Sequence, residues 1–183
     1  MVQSKFRTLD LAYTAIGAAL IAICSWISIP LTVPFTMQTF AVFFVLLLLG
    51  GMRGSLSILV YILLGAAGVP VFAGFSGGVG ILFGNTGGYI IGFLLTGLVY
   101  LVAEHLFGEN LWAKIAALVV GLALCYAFGT VWFYVLYTRH TGAVSMMTVM
   151  SWCVFPFILP DLLKLALAVL LSGRVKRMIP GLS

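Results

Sequence analysis

Long apolar stretches dominate this chain, and polar positions fall between them rather than within them. Residues 11–52 and 54–103 carry no charged side chain. About 20 apolar residues are enough to cross a bilayer once, so each stretch is long enough for more than one crossing. Gly, Pro and charged positions divide the stretches into six predicted membrane-spanning helices, at residues 11–30, 39–51, 54–70, 87–107, 112–138 and 145–173. The predicted fold is therefore an all-α membrane protein, a bundle of six transmembrane helices forming one domain over residues 1–183.

Composition excludes several classes of function. Of the 183 residues, 63% are hydrophobic and 7% are charged, against a charged share of about 25% in soluble domains. Four acidic residues offer little material for paired-carboxylate catalysis, and the chain has neither a His-Glu-x-x-His motif nor a Walker A sequence. The three cysteines stand alone in apolar stretches, without the spacing of a zinc site. We expect no enzyme activity, no metal and no nucleic-acid partner, and membrane lipid around the bundle.

The basic residues predict the orientation of the bundle. Most of them fall before the first predicted span, between the second and third, between the fourth and fifth, and after the sixth; they are Lys5, Arg7, Arg53, Lys114, Arg174, Lys176 and Arg177. Lys and Arg concentrate in cytoplasmic segments of membrane proteins. Both termini are therefore predicted to be cytoplasmic, and the net charge of +5 reflects orientation rather than an acidic partner.

Two segments on the outward side, residues 30–38 and 71–86, are uncharged and apolar although they lie between the predicted helices. A loop exposed to water would not need Phe35, Phe72, Phe75 and Phe83. Non-helical backbone is tolerated at membrane depth where it is buried in protein or lines a cavity. These loops are therefore predicted to cap an outward-facing ligand pocket.

Asp161 and Lys164 are opposite charges within the last apolar span, and three residues apart on a helix they share a face. Each costs about 2.5 to 3.5 kcal/mol at a membrane helix centre, so something must compensate. One interpretation is that they neutralise each other and hold the bundle together. The other is that Asp161 accepts N–H groups of a polar ligand while Lys164 pairs with its carboxylate. Pro160 favours the second, because an interrupted helix frees backbone groups to face a cavity.

A glycine-rich segment precedes the fourth span, with Gly74, Gly77, Gly78, Gly80, Gly84, Gly87 and Gly88. No Lys or Arg lies between Arg53 and Lys114, so a phosphate would meet no cation there. The glycines either permit tight turns and close helix contacts, or let the backbone approach a small ligand. In the second case Phe75 and Tyr89 would supply flat apolar walls. Asn85, Thr86 and Gln38 would supply hydrogen bonds.

Small residues recur at four-residue spacing on the first helix, in the pairs Ala15 with Ala19 and Ala18 with Ala22. Such spacing lets another helix approach closely. The pattern alone is compatible with packing inside the bundle and with an external helix.

Four segments together resemble the BioY family, the substrate-capture (S) component of energy-coupling factor (ECF) transporters for biotin. They are Val33-Pro34-Phe35-Thr36-Met37-Gln38, the run from Gly68 to Gly78, the run from Thr86 to Phe93, and Pro160-Asp161-Leu162-Leu163-Lys164. They occur in the family's order along nearly the whole chain. The sequence departs from the family at Asn85, where Pro is common, and often a Gly separates the last Pro and Asp in the family.

The resemblance implies high-affinity biotin capture at the outer face of a prokaryotic cell membrane and delivery to the cytoplasm. It implies a transmembrane coupling protein and two cytoplasmic ATPases as partners, with biotin as the transported ligand and no cofactor. The implied ligand-binding residues are Asp161, Lys164, Tyr89, Asn85, Thr86, Gln38, Thr36, Phe75, Gly77 and Gly78. The implied contact with the coupling protein is made by Ala15, Ala18, Ala19 and Ala22.

Three alternatives remain open from the sequence. The chain could translocate a small solute without partners, capture a different vitamin as an S component, or serve as a structural membrane subunit that binds no small molecule. The buried charge pair argues against the last of these.

Overall fold

A computed structural model describes residues 8–178 of the chain. Its helices are α1 (Thr8–Trp26), α2 (Gln38–Ala66), α3 (Val79–Leu82), α4 (Gly87–Phe107), α5 (Leu111–His140), α6 (Met146–Cys153) and α7 (Phe155–Met178). A 3-10 turn covers Ala73–Phe75, and strands β1 (Ser28–Ile29) and β2 (Phe35–Thr36) form a short antiparallel hairpin. Lys5 and Arg7, which contribute to the predicted orientation, lie outside the described residues.

Within residues 8–178, five helical segments are long and apolar enough to cross a membrane, at Thr8–Trp26, Gln38–Ala66, Gly87–Phe107, Leu111–His140 and Met146–Met178. The predicted helix at 87–107 is found with the same bounds as α4. The first predicted helix ends earlier, at Trp26, because the β hairpin follows it. The predicted second and third helices, at 39–51 and 54–70, correspond to the two parts of α2 on either side of a non-helical residue, Gly50. The multi-pass helical class is thus confirmed.

Helix α2 reverses direction at Gly50, where φ is 82° and ψ is 171°. This backbone region is accessible essentially only to glycine. Residues 38–49, the first arm, and residues 51–66, the second arm, then lie against each other. A methyl group at Gly54 would be 3.0 Å from the Cα of Leu46, and the Gln38 amide reaches the Tyr61 hydroxyl. The two arms therefore form an antiparallel hairpin.

Glycines bring α4 and α5 into close contact. A methyl group at Gly92 would lie 2.8 Å from the sulfur of Cys125, and one at Gly129 would lie 2.3 Å from the ring of Tyr89. Small residues of this kind let membrane helices approach closely enough for extensive van der Waals contact. The approach fixes Tyr89 and Cys125 on the same inner surface.

The predicted last span, 145–173, is broken at Val154 rather than at Pro160. Val154 has φ −124° and ψ −60° and separates α6 from α7, whereas α7 continues through Pro160. The expectation that Pro160 interrupts the helix is therefore wrong. A proline removes one backbone hydrogen bond, and packing of α7 against α2 keeps the helix continuous around that loss.

Candidate ligand-binding site

A cavity of about 220 Å³ lies between the first arm of α2, the facing sides of α4, α5 and α7, and the two interhelical segments. Its wall comprises Val33, Pro34, Thr36, Gln38, Thr39, Phe72, Ala73, Ser76, Ile81, Thr86, Tyr89, Ile90, Phe93, Leu122, Cys125, Tyr126, Cys153, Phe157, Asp161 and Lys164. Most of these side chains are apolar or aromatic, with a few polar groups among them. That composition is typical of a pocket for a small, largely apolar ligand held in register by a few polar contacts.

Asp161 is the acidic residue of the cavity wall and is 3% exposed. Its Oδ1 accepts hydrogen bonds from the Thr39 hydroxyl at 3.0 Å and from Lys164 Nζ at 2.8 Å. Its Oδ2 accepts one from the Tyr126 hydroxyl. Helices α2, α5 and α7 therefore meet at this one carboxylate. Buried charge is tolerable when it is paired and hydrogen-bonded in this way.

Lys164 lies one helical turn beyond Asp161 and is 6% exposed. Besides its ion pair with Asp161, it donates a hydrogen bond to the Thr36 carbonyl at 2.7 Å. Its ammonium also sits 4.1 Å from the ring centre of Phe35. An ammonium carries three N–H donors, and residues 8–178 accept two of them in hydrogen bonds, so among these residues one donor is left for a ligand. Through its hydrogen bond to the Thr36 carbonyl, Lys164 also joins α7 to strand β2.

The side chains of α7 alternate in burial as its pitch requires. Asp161 and Lys164 are buried, while Leu162 and Leu163 between them are 42% and 63% exposed. The pair therefore points into the bundle. The two charges form an ion pair, as the first interpretation predicts. Both residues also line the cavity, as the ligand-binding interpretation requires.

Six of the ten predicted ligand-binding residues line the cavity: Asp161, Lys164, Tyr89, Thr86, Gln38 and Thr36. Gln38 is anchored through its amide nitrogen, which donates to the Tyr61 hydroxyl at 3.0 Å. Tyr89 forms a hydroxyl hydrogen bond with Thr130 at 2.9 Å. These bonds fix both side chains, so each presents a defined face to the cavity.

The other four predicted residues are not part of the cavity wall: Asn85, Phe75, Gly77 and Gly78. Phe75 is 64% exposed and stacks on Trp26, with ring centres 5.0 Å apart. Gly77 packs against the Val69 carbonyl, 2.4 Å from where a methyl group would be, and Gly78 donates its N–H to the Gly65 carbonyl. Both glycines therefore pack the second loop against the end of α2. Asn85 is half-buried and makes no described hydrogen bond within residues 8–178.

Phe72 rather than Phe75 covers the cavity from the second loop. It is 1% exposed and meets the Tyr61 ring edge-on, with centres 5.5 Å apart. A methyl group at Gly65 would overlap the Phe72 ring, so glycine at that position makes room for it. From the first loop, Phe35 stacks on Phe157 of α7 at 5.9 Å. Both apolar segments thus contribute to the cavity wall, as the sequence predicted for a capped pocket.

Sequence reasoning missed Tyr126 and Thr39. Both are polar side chains inside apolar spans, but the chain has seven tyrosines and many threonines, and no spacing distinguishes these two. Thr39 follows the predicted Gln38 directly, which is the one local indication available. Tyr126 approaches Asp161 only because the fold brings α5 and α7, 35 positions apart in sequence at these residues, to the same cavity wall.

The small-residue face of α1 borders a groove, together with Val60 and Leu64 of the second arm. Ala15 and Ala19 are exposed, whereas Ala18 and Ala22 are buried at its base. The four predicted partner-contact alanines therefore all lie on this one groove.

A second charged cluster forms at the end of the bundle where α2 reverses. Glu104 of α4 accepts a hydrogen bond from the Gly51 N–H at 2.6 Å and lies 3.4 Å from Lys114 Nζ. Lys114 also pairs with Glu109 at 2.6 Å, and that hydrogen bond holds the pKa of the Glu109 carboxyl below its ordinary value. Arg53 pairs with Asp10 of α1 at 2.7 Å.

These features define a multi-pass helical membrane protein that encloses a cavity with one acidic and one basic group on its wall. The BioY family model matches residues 1–181, and the chain belongs to the BioY family. It is 42% identical over 173 residues to the biotin transporter BioY of Thermotoga maritima, covering 92% of this chain and 96% of that one. It is 36% identical over 168 residues to a probable biotin transporter BioY of Pyrococcus horikoshii, covering 91% and 96%.

A solved structure shares the fold. The crystal structure of an S-component for biotin from an ECF-type ABC transporter superposes with a TM-score of 0.82 at 22% identity, covering 97% of this chain and 95% of that one. At this identity the likeness establishes the arrangement of helices.

Proposed function

We propose that this chain captures biotin and delivers it across the membrane as the substrate-binding subunit of an ECF-type transporter. The observation that carries the proposal is the buried Asp161–Lys164 pair on the wall of a predominantly apolar cavity. Membership of the BioY family, whose relatives are named as biotin transporters, supports the same ligand.

The chemistry of biotin matches the cavity group by group. Biotin has two ureido N–H donors, a ureido carbonyl, an apolar fused ring and a carboxylate. Asp161 offers an acceptor, Lys164 a cation, and Gln38 and Thr86 further hydrogen-bonding groups. Aromatic side chains, Phe93 among them, offer apolar contact for the ring.

The proposed topology has six crossings, with both termini in the cytoplasm. The antiparallel arms of α2 support it, since each arm then crosses separately. At 1.5 Å per residue the arms are about 18 and 24 Å long, shorter than the hydrocarbon core of about 30 Å, so adjoining loops extend the crossing. The cluster around Lys114 and Arg53 then falls on the cytoplasmic side, as the distribution of Lys and Arg requires.

The proposed assembly adds a transmembrane coupling protein on the groove of α1 and two cytoplasmic ATPases. The chain has no Walker A sequence, so ATP hydrolysis must come from partners. Ala15 and Ala19 are exposed on that groove, which lets a helix of the coupling protein approach closely. The proposed location is the cell membrane of a prokaryote.

Isothermal titration of the detergent-purified chain with a panel of vitamins tests this function directly. We expect saturable binding of biotin, with other vitamins giving no heat at the same concentrations. Mass spectrometry of the ligand that co-purifies with the chain provides an independent readout. Preferential binding of another vitamin would overturn the biotin assignment, and uptake by the chain alone in liposomes would overturn the need for ATPase partners.

A further inference from the structure

The Asp161 carboxylate has fewer open hydrogen-bond acceptor positions than a carboxylate without protein partners. An ionised carboxylate has about four acceptor positions, two on each oxygen. Thr39 and Lys164 fill those on Oδ1, and Tyr126 fills one on Oδ2. Among the donors that the structure describes, three are in place, and one position on Oδ2 is left for a ligand.

The three donors hold this carboxylate from different directions. Tyr126 belongs to α5 and Thr39 to the first arm of α2, while Asp161 itself belongs to α7. Asp161 and Thr39 are both at least nine-tenths buried. A carboxylate fixed from three helices cannot rotate to meet an incoming ligand, so the ligand must match the position it finds. Such preorganisation raises affinity by reducing what must be ordered on binding.

We propose that Tyr126 and Thr39 are positioning residues, which orient Asp161 so that it accepts a single N–H of the ligand through Oδ2. This inference rests on the proposed function, because biotin supplies the N–H. The two N–H groups of a cyclic urea point in different directions, so one carboxylate meets only one of them. Asp161 therefore distinguishes between the two ureido nitrogens of biotin.

The test compares biotin with two derivatives, each methylated on one ureido nitrogen, by titration calorimetry. In the wild type, methylation of the nitrogen that faces Asp161 weakens binding more than methylation of the other. Tyr126→Phe and Thr39→Val each remove a hydroxyl that donates to Asp161. Either change is expected to weaken biotin binding about twofold to tenfold, because the Asp161 side chain must then be ordered when the ligand binds.

The decisive measurement is the difference in affinity between the two methylated ligands, not the affinity for biotin itself. In Tyr126→Phe and Thr39→Val the affinities for the two methylated ligands become more nearly equal, because Asp161 is no longer fixed toward one nitrogen. Thr39→Ser keeps the hydroxyl and restores the wild-type difference. Tyr134→Phe removes a hydroxyl from the same helix away from the cavity wall and leaves all three affinities unchanged.

A purely structural role for Tyr126 would weaken all three ligands by the same factor, which would overturn the proposal. Unchanged biotin affinity in both Tyr126→Phe and Thr39→Val would also overturn it while leaving the proposed function intact. Failure of the wild type to bind biotin would overturn the proposed function itself. If Tyr126→Phe does not fold, Thr39→Val carries the same comparison.

Discussion

The side-chain amide of Gln38 donates a hydrogen bond to the hydroxyl of Tyr61 at 3.0 Å, although both belong to α2 and lie 23 residues apart. In a straight helix that separation would be about 35 Å. The contact therefore joins the two ends of the α2 hairpin. Gln38 also lines the cavity, so the reversal at Gly50, at the far end of the bundle, fixes a residue of the candidate site.

Gly50→Ala is expected to lower the melting temperature of the detergent-purified protein. The backbone at Gly50 has φ 82° and ψ 171°, a conformation that costs other residues about 1 to 3 kcal/mol. The added methyl group would also lie 3.3 Å from a Glu104 carboxylate oxygen. Gly173→Ala, in α7 with no atoms near the new methyl group, is the matched control and should not destabilise the protein. Equal melting temperatures for both variants would show that the reversal does not depend on glycine.

Lys164→Gln is expected to weaken the binding of biotin and of biotin methyl ester by the same factor. Lys164 Nζ lies 2.8 Å from Asp161 Oδ1, so both groups meet the same end of a ligand, and the remaining N–H of Lys164 can donate to the ureido carbonyl beside the N–H that Asp161 accepts. Titration calorimetry with the acid and the ester measures both affinities. Lys176→Gln, on the same helix beyond the cavity, should leave both unchanged. A variant that loses affinity for the acid alone would place Lys164 against the ligand's carboxylate instead.

Ala15→Leu and Ala19→Leu are expected to block assembly with the coupling protein without affecting biotin affinity. Both alanines are exposed on the groove of α1, so the larger side chain fills space that a partner helix needs. Co-purification with the coupling protein and ATPases measures assembly. Ala116→Leu makes the same change at an exposed position of α5 and should assemble normally. Normal assembly of both α1 variants would place the partner on another face.

Glu104→Ala is expected to destabilise the protein more than Glu109→Ala. Glu104 accepts the Gly51 N–H at the start of the second arm of α2, and losing such a helix-capping acceptor costs about 0.5 to 2 kcal/mol. The Glu109 side chain is 81% exposed, and ion pairs of that kind contribute about 0 to 1 kcal/mol. Thermal unfolding in the same detergent shows which of the two variants has the lower melting temperature. The reverse order would mean that Lys114 depends chiefly on Glu109.

The contribution of Glu109 to stability is expected to disappear in acid. The hydrogen bond from Lys114 lowers the pKa of Glu109 in the folded protein below its ordinary value of 4.5. A carboxyl with a lowered folded pKa stabilises the fold above its unfolded pKa, and that contribution is lost as pH falls through the folded pKa. The difference in melting temperature between wild type and Glu109→Gln should therefore be constant near neutral pH and should disappear below pH 4.5. A gap that widens on acidification would contradict this sign.

The apolar stretches of the sequence determined the membrane class and the position of most helices, because the hydrocarbon core imposes length and composition locally. The bounds of α4 and the placement of Asp161 and Lys164 on one helix face followed from such local rules. The motifs around Thr36, Gln38, Thr86 and Tyr89 could likewise be identified from the chain alone, and those residues line the cavity.

Only the tertiary structure decided which polar groups meet. Tyr126 reaches Asp161 across 35 positions of sequence and Thr39 reaches it across 122, through helix packing that no local pattern records. The same packing turned Phe75 outward onto Trp26 and brought Phe72 over the cavity. Hydrophobic periodicity specifies that a side chain is buried in the bundle, whereas its partner there depends on how neighbouring helices approach and where glycines let them touch.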